Sequence, residues 1–199
     1  MKVAVVGAYG NGKTTVVSRL AGLTRLPMAH GTPMRNPAGG APKSLEDTEP
    51  AELIQLVVRR YAERVQAETA ATRGFISDGS LLHEWVYATV RLAVGMHPPA
   101  GAALEPGGDD PYAKVVAALG PEIARRAAQA YDLVVHLPVE FPLHDEVKPI
   151  SERFRVLSDE LLLATFAAES VPVHTITGTV DARLAAFAEL CRTSVGGGT

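Results

Sequence analysis

The chain has 199 residues, with 19 lysines and arginines against 22 aspartates and glutamates, and a net charge of −3. Hydrophobic residues make up 47% and charged ones 21%, which excludes wholesale disorder, and the slightly acidic balance argues against a nucleic-acid-gripping surface. The one cysteine, Cys191, excludes an intrachain disulfide and an all-cysteine zinc site, and no apolar run reaches the roughly 20 residues that span a bilayer.

One domain is expected over residues 1–195, with a disordered tail at 196–199. Residues 2–6 (KVAVV) read as a short buried strand. Gly7-Ala8-Tyr9-Gly10-Asn11-Gly12-Lys13-Thr14 then fits G-x-x-x-x-G-K-[ST] without a mismatch. Val16, Val17, Leu20 and Leu23 follow at helical spacing. The motif therefore lies between a strand and a helix, which separates it from a chance glycine-rich turn. Glycines let several backbone N–H groups point at one phosphate, and the helix that follows adds its positive end. Gly7, Tyr9, Gly10, Asn11, Gly12, Lys13, Thr14 and Thr15 are the expected nucleotide contacts. Lys13 would reach the β- and γ-phosphates, and the Thr14 hydroxyl would ligate Mg²⁺.

A short second strand is expected near residues 27–30, then a Pro- and Gly-rich loop carrying His30, Thr32 and Arg35, where an acceptor could bind. Residues 50–72 read as a long helix capped by Asp47 or Thr48, with Leu53, Val57, Tyr61 and Val65 as its apolar stripe. Residues 74–78 form a third strand ending in Asp78. That carboxylate could hold the water shell of Mg²⁺ or take the proton of an attacking hydroxyl, although Asp is also a favoured helix cap.

Ser80 is expected to cap a helix over 81–94 that carries His83, Glu84, Trp85 and Arg91. Trp85 could stack on a substrate ring or fill the core; Arg91 could hold a substrate anion or face solvent. A flexible loop spans 95–111, and a helix spans 112–130, which Gly120-Pro121 could break. A buried strand covers 133–137. The segment 145–156 then reads as a mobile lid with Lys148, Arg153 and Arg155. Arg153 is the expected cation over the transferring phosphoryl group. Ser158 would cap a helix over 159–169, a last strand covers 171–176, and a last helix 180–192. Gly178-Thr179 could let the backbone approach an adenine ring, or form a plain turn. Cys191 reads as packing. Strands alternating with helices predict an α/β, three-layer fold with a parallel sheet covered on both faces.

The order of these features resembles the P-loop small-molecule kinases. The nearest set is the AAA-like ATPases that include ribosylnicotinamide kinase, alongside deoxynucleoside and thymidylate kinases. The resemblance rests on residues 7–15 (GAYGNGKTT), 75–80 (FISDGS), 131–137 (YDLVVHL) and 173–184 (VHTITGTVDARL), with 146–155 resembling the family's lid. It implies the P-loop NTPase fold with sheet order 2-3-1-4-5. It also implies that Asp78 matches the strand-three carboxylate and that Arg153 or Arg155 matches a lid arginine. Gly79 stands where thymidylate and deoxynucleoside kinases usually place arginine, and no acid follows the second strand until Glu46.

The expected activity is an ATP- and Mg²⁺-dependent phosphoryl transfer to a hydroxyl of a nucleoside- or nucleotide-like acceptor. Lys13, Asp78 and Arg153 are catalytic, and Thr14 and, through water, Asp78 serve the metal. Arg155, Gly178 and Thr179 add to the nucleotide site; His30, Arg35, His83, Trp85 and Arg91 are candidate acceptor contacts. A regulatory NTPase without an acceptor and a non-catalytic nucleotide sensor stay open as alternatives. The expected partner is a small molecule, without nucleic acid or membrane, in a cytoplasmic protein for which a homodimer stays open. Alanine, glycine and proline richness points to a GC-rich genome and leaves acceptors of specialised metabolism open.

Overall fold

The computed structural model describes residues 1–29, 43, 47–105, 109–143 and 150–196. The strands are β1 (Lys2–Val6), β2 (Met28–Ala29), β3 (Phe75–Asp78), β4 (Leu133–His136) and β5 (Val173–Thr175). The helices are α1 (Lys13–Thr24), α2 (Pro50–Ala70), α3 (His83–Val94), α4 (Pro111–Ala130), α5 (Glu152–Ala168) and α6 (Val180–Gly196). Every strand pairing is parallel, and the sheet order is β2-β3-β1-β4-β5. This is the expected three-layer P-loop arrangement.

The pleat of β1 divides the core. Val3 and Val5 face Val16, Val17 and Leu20 of α1 and Phe187 of α6. Ala4 and Val6 face the other layer, built from Leu53 and Val57 of α2, Val86 of α3, Ile123 of α4 and Phe166 of α5. Alternate residues of one strand must point to opposite faces, so the unbroken apolar, buried run Val3–Val6 requires helices on both sides. Among the described residues, no helix is long and apolar enough to cross a membrane.

Several boundaries differ from the sequence reading for physical reasons. Helix α2 is capped by Glu49, not Asp47 or Thr48: the Glu49 side chain and the Glu52 side chain form a reciprocal capping box. Helix α4 runs unbroken through Pro121. A proline inside a helix costs about 3 kcal/mol, whereas each fully buried large apolar side chain stabilises by roughly 1.5–3 kcal/mol, and α4 buries Val116, Ile123, Ala124 and Ala127. Gly120 gives Trp85 its place: a Cβ there would lie 2.7 Å from the indole. Helix α3 begins at His83 rather than Leu81. Helix α5 begins seven residues before the expected start, with Ser151 as its cap accepting from Phe154 N–H at 3.1 Å. Ser158 lies inside α5 and bonds back to Phe154 O at 2.8 Å. Arg153 and Arg155 therefore stand on the first turns of a helix, not on a flap. Gly196, expected in the tail, ends α6.

Candidate active site

Parallel pairing of β1 with β3 sets Val5 opposite Asp78. The glycine loop leaves β1 one residue later, so the loop and Asp78 share the carboxyl edge of the sheet, where ligands of such sheets bind. Gly7 has φ 136°, and a Cβ there would lie 2.3 Å from Leu137 O. Only glycine lets the loop pass this close to the end of β4. Gly12 caps α1 at φ 78° with no side-chain cap, so the first amides of α1 are free to meet an anion.

Lys13 is the first residue of α1, and its Nζ folds back to donate to Ala8 O at 2.6 Å. Burial lowers its ammonium from 10.5 to about 8, against the upward pull of Asp78 and Asp159. Thr14 Oγ1 donates to Asp78 Oδ2 at 2.6 Å. The Thr14 hydroxyl and the Asp78 carboxylate thus have the hard-oxygen chemistry that suits Mg²⁺, with Thr14 as a direct ligand and Asp78 beside it to hold one of the ion's waters. Arg64 Nη1 donates to Asp78 O at 3.2 Å and to Ser77 Oγ at 2.9 Å. Gly79, at φ 97°, returns its N–H to Val5 O at 2.9 Å.

The back of the loop is gripped by side chains from α5 and α6. Arg155 is fully buried. Its Nε donates to Tyr9 O at 2.7 Å, its Nη2 to Asn11 Oδ1 at 2.6 Å, and its Nη1 to Phe141 O at 2.9 Å and Glu152 at 2.6 Å. Asn11 Nδ2 donates to Leu137 O at 2.9 Å. Arg183 Nη1 donates to Asn11 O at 2.7 Å, and its Nη2 to Glu140 at 2.6 Å. Glu140 also accepts the Gly178 N–H at 3.0 Å, which ties the turn after β5 to the loop. Asp159 Oδ1 accepts the Ala8 N–H at 3.0 Å, while Oδ2 meets His136 Nε2 at 2.9 Å.

His83 supports the loop from below. Its Nδ1 accepts from Ser80 N–H at 2.9 Å, so Nε2 carries the proton given to Gly7 O at 3.2 Å. Burial, with Lys13 and Arg64 nearby, lowers its pKa to about 3, so the ring is neutral. The other expected acceptor contacts within the described residues have these partners in the protein. Trp85 packs on Gly120 and donates to Val116 O at 2.9 Å. Arg91 donates to Thr48 O. Arg153 Nε donates to Ala102 O at 2.7 Å and its guanidinium pairs with Glu160 at 3.8 Å. Its side chain is thus engaged outside the loop, and Arg155 is the arginine that reaches the loop. His30, Thr32, Arg35 and Lys148 lie outside the described residues.

Thr15 is exposed on α1, and the Tyr9 ring is exposed at the loop tip. Thr179 Oγ1 accepts from Ala182 N–H at 3.3 Å and opens α6. The sequence reading missed Arg64, Glu140, Asp159 and Arg183 as site residues. A stripe of Leu56, Arg60, Arg64 and Glu68 at four-residue spacing runs buried along α2 beside its apolar stripe. Arg155 and Asp159 repeat that spacing on α5. Charges at core spacing were the signal available.

The AAA domain family matches residues 2–183. No curated protein matches the chain. Its fold is similar to deoxyadenosine kinase from M. mycoides with bound dATP, at TM-score 0.68 and 14% identity, covering 96% of this chain and 100% of that one. It is also similar to thymidylate kinase from Candida albicans, at TM-score 0.60 and 14% identity, covering 96% and 91%.

Proposed function

We propose that this chain, which belongs to the AAA domain family, is a phosphotransferase that moves the γ-phosphoryl group of ATP to a hydroxyl of a nucleoside- or nucleotide-like acceptor. The observation that carries this reading is the convergence of Lys13, Thr14 and Asp78 on one sheet edge, with Thr14 and Asp78 in contact at 2.6 Å. Hydrolytic P-loop switches also place a carboxylate beside the cradle to serve Mg²⁺, so the pair supports metal-dependent phosphoryl chemistry, and in this reading Asp78 is in addition the base for an acceptor hydroxyl. The kinase names of the neighbours of similar fold support a nucleoside or nucleotide acceptor.

In this reading the loop amides and the α1 amides bind the phosphates. Lys13 exchanges its bond to Ala8 O for a phosphate oxygen and stays protonated there. Thr14 and Asp78 would hold Mg²⁺, directly and through water, and that ion would supply charge neutralisation across the β- and γ-phosphates. Asp78 orients the acceptor hydroxyl and takes its proton as the oxygen attacks phosphorus. Arg155 and Arg183 keep the loop in shape, and the Gly178-Thr179 turn lies on the adenine side.

The test is ADP release from ATP and Mg²⁺ with and without a panel of nucleosides and nucleoside monophosphates. Release that depends on an acceptor supports the proposal. Equal release without one makes the chain an NTPase switch, and binding without release makes it a sensor.

A further inference from the structure

Glu68 of α2 is 7% exposed and lies one helical turn beyond Arg64. Its Oε1 accepts from Ser77 Oγ at 2.8 Å and from Tyr131 Oη at 3.0 Å. Both hydroxyls are acceptors in turn. Ser77 Oγ accepts from Arg64 Nη1, the same nitrogen that donates to Asp78 O. Tyr131 Oη accepts from the Leu81 N–H at 2.9 Å. Two hydrogen-bonded arms thus leave one carboxylate oxygen and end on either side of Asp78, one at its own carbonyl and one at Leu81. Along both arms the hydroxyl protons point toward Glu68. Burial raises the Tyr131 hydroxyl well above its usual value, so it remains a donor.

The second oxygen of Glu68 accepts no hydrogen bond among the described residues. Glu68 lines a recess of about 320 Å³ with Val65, Phe75 and Leu81, at the end of the sheet where β1 and β3 begin. The carboxylate therefore works through Oε1.

We propose that Glu68 and Tyr131 are positioning residues for Asp78: they hold the 77–81 segment so that the Asp78 carboxylate meets Thr14 and the acceptor. This rests on the reading of Asp78 as the base. It is a claim about geometry rather than charge. Glu68→Gln keeps a carbonyl oxygen for both hydroxyls and turns its amide to the recess; Glu68→Leu keeps the volume and loses both bonds. Tyr131→Phe keeps the ring, which packs edge-on to Phe75, and cuts one arm.

The experiment measures kcat, KM for ATP and amide hydrogen exchange in these three variants and in Asp78→Asn. A shift of about 1 Å at a reacting group costs up to about 100-fold, so Tyr131→Phe and Glu68→Leu are expected to lower kcat about 10- to 100-fold with KM for ATP within about twofold. Glu68→Gln is expected to retain wild-type kcat, and Leu81 N–H is expected to exchange faster in Tyr131→Phe. Tyr131→Phe keeps the test open if Glu68→Leu does not fold. Wild-type kcat in Tyr131→Phe, or equal losses in Glu68→Gln and Glu68→Leu, overturns the inference. If Asp78→Asn loses turnover while Tyr131→Phe keeps it, only the positioning claim fails. If Asp78→Asn itself keeps turnover, the reading of Asp78 fails and the inference falls with it.

Discussion

The hydroxyl of Thr14 donates to the carboxylate of Asp78 at 2.6 Å, across 64 residues of sequence. The contact follows from strand order: β3 lies beside β1, and Asp78 pairs with Val5 just before the loop begins. The pair joins the residue at the start of α1 to the one carboxylate at the end of β3. Thr14→Val is therefore expected to raise the Mg²⁺ concentration for half-maximal turnover by about tenfold or more, as removal of metal-site oxygens does. ATP binding without Mg²⁺ should change far less. Titration of turnover and of nucleotide binding with Mg²⁺ checks both; an unchanged Mg²⁺ requirement removes Thr14 from the metal site.

The Lys13 ammonium titrates at about 8 in the free protein, against an ordinary 10.5. Between those values the unfolded chain holds more protons than the folded one, so this group opposes folding below about pH 8, and stability rises with pH through the window. Phosphate binding favours the charged form. At about pH 8.5, ATP binding is therefore expected to take up a proton, and affinity to fall as pH rises further. Calorimetry in two buffers of different ionisation enthalpy reads the uptake directly, and Lys13→Met should abolish it. Binding of ATP by the wild-type protein with no proton uptake at that pH would contradict the shift.

Arg155 and Arg153 are two residues apart and have opposite environments. Arg155→Met strands Tyr9 O, Asn11 Oδ1 and Phe141 O, and should cost about 3 kcal/mol. It should also weaken ATP binding, because the loop loses its grip from α5. Arg153→Ala loses a bond to Ala102 O and a pair with an exposed Glu160, and should cost no more than about 1.5 kcal/mol. Urea denaturation and ATP titration of both variants check this. Equal stability losses would contradict the assignment.

Gly120→Ala places a Cβ 2.7 Å from the Trp85 ring. Overpacking costs about 1–3 kcal/mol, while the gain in helix propensity is at most about 1 kcal/mol, so a net loss of about 1–2 kcal/mol is expected. The indole should report the strain as a changed fluorescence. A stabilised variant would show that α4 yields more easily than its contact with α3 implies.

The β1–loop–α1 unit was legible because its signals are local: a strand, a fixed spacing of glycines, and a helical apolar pattern. The place of Asp78 at the end of β3 was legible because a carboxylate after a short apolar strand is a local pattern too. The grip on the back of the loop was not. Arg155, Asp159 and Arg183 reach it from α5 and α6, 144, 151 and 172 residues away. Nothing local distinguishes Arg155 from Arg153; only the true start of α5 at Glu152, capped by Ser151, decides which arginine faces inward. Ser158 offered an equally good cap by residue type, and tertiary packing of Phe154 and Leu157 overrode it. Trp85 and Arg91 follow the same lesson: their partners, Val116 O and Thr48 O, come from other elements.

The most direct measurement is transfer of label from [γ-³²P]ATP to a nucleoside or nucleoside monophosphate, by the wild-type protein and by Asp78→Asn. Loss of a general base lowers turnover by about 10²- to 10⁴-fold. The expected result is a labelled acceptor with the wild-type protein, a loss of that size in Asp78→Asn, and ATP affinity close to wild type. Label released only as inorganic phosphate, or transfer undiminished in Asp78→Asn, would contradict a phosphotransferase built on the Thr14–Asp78 pair.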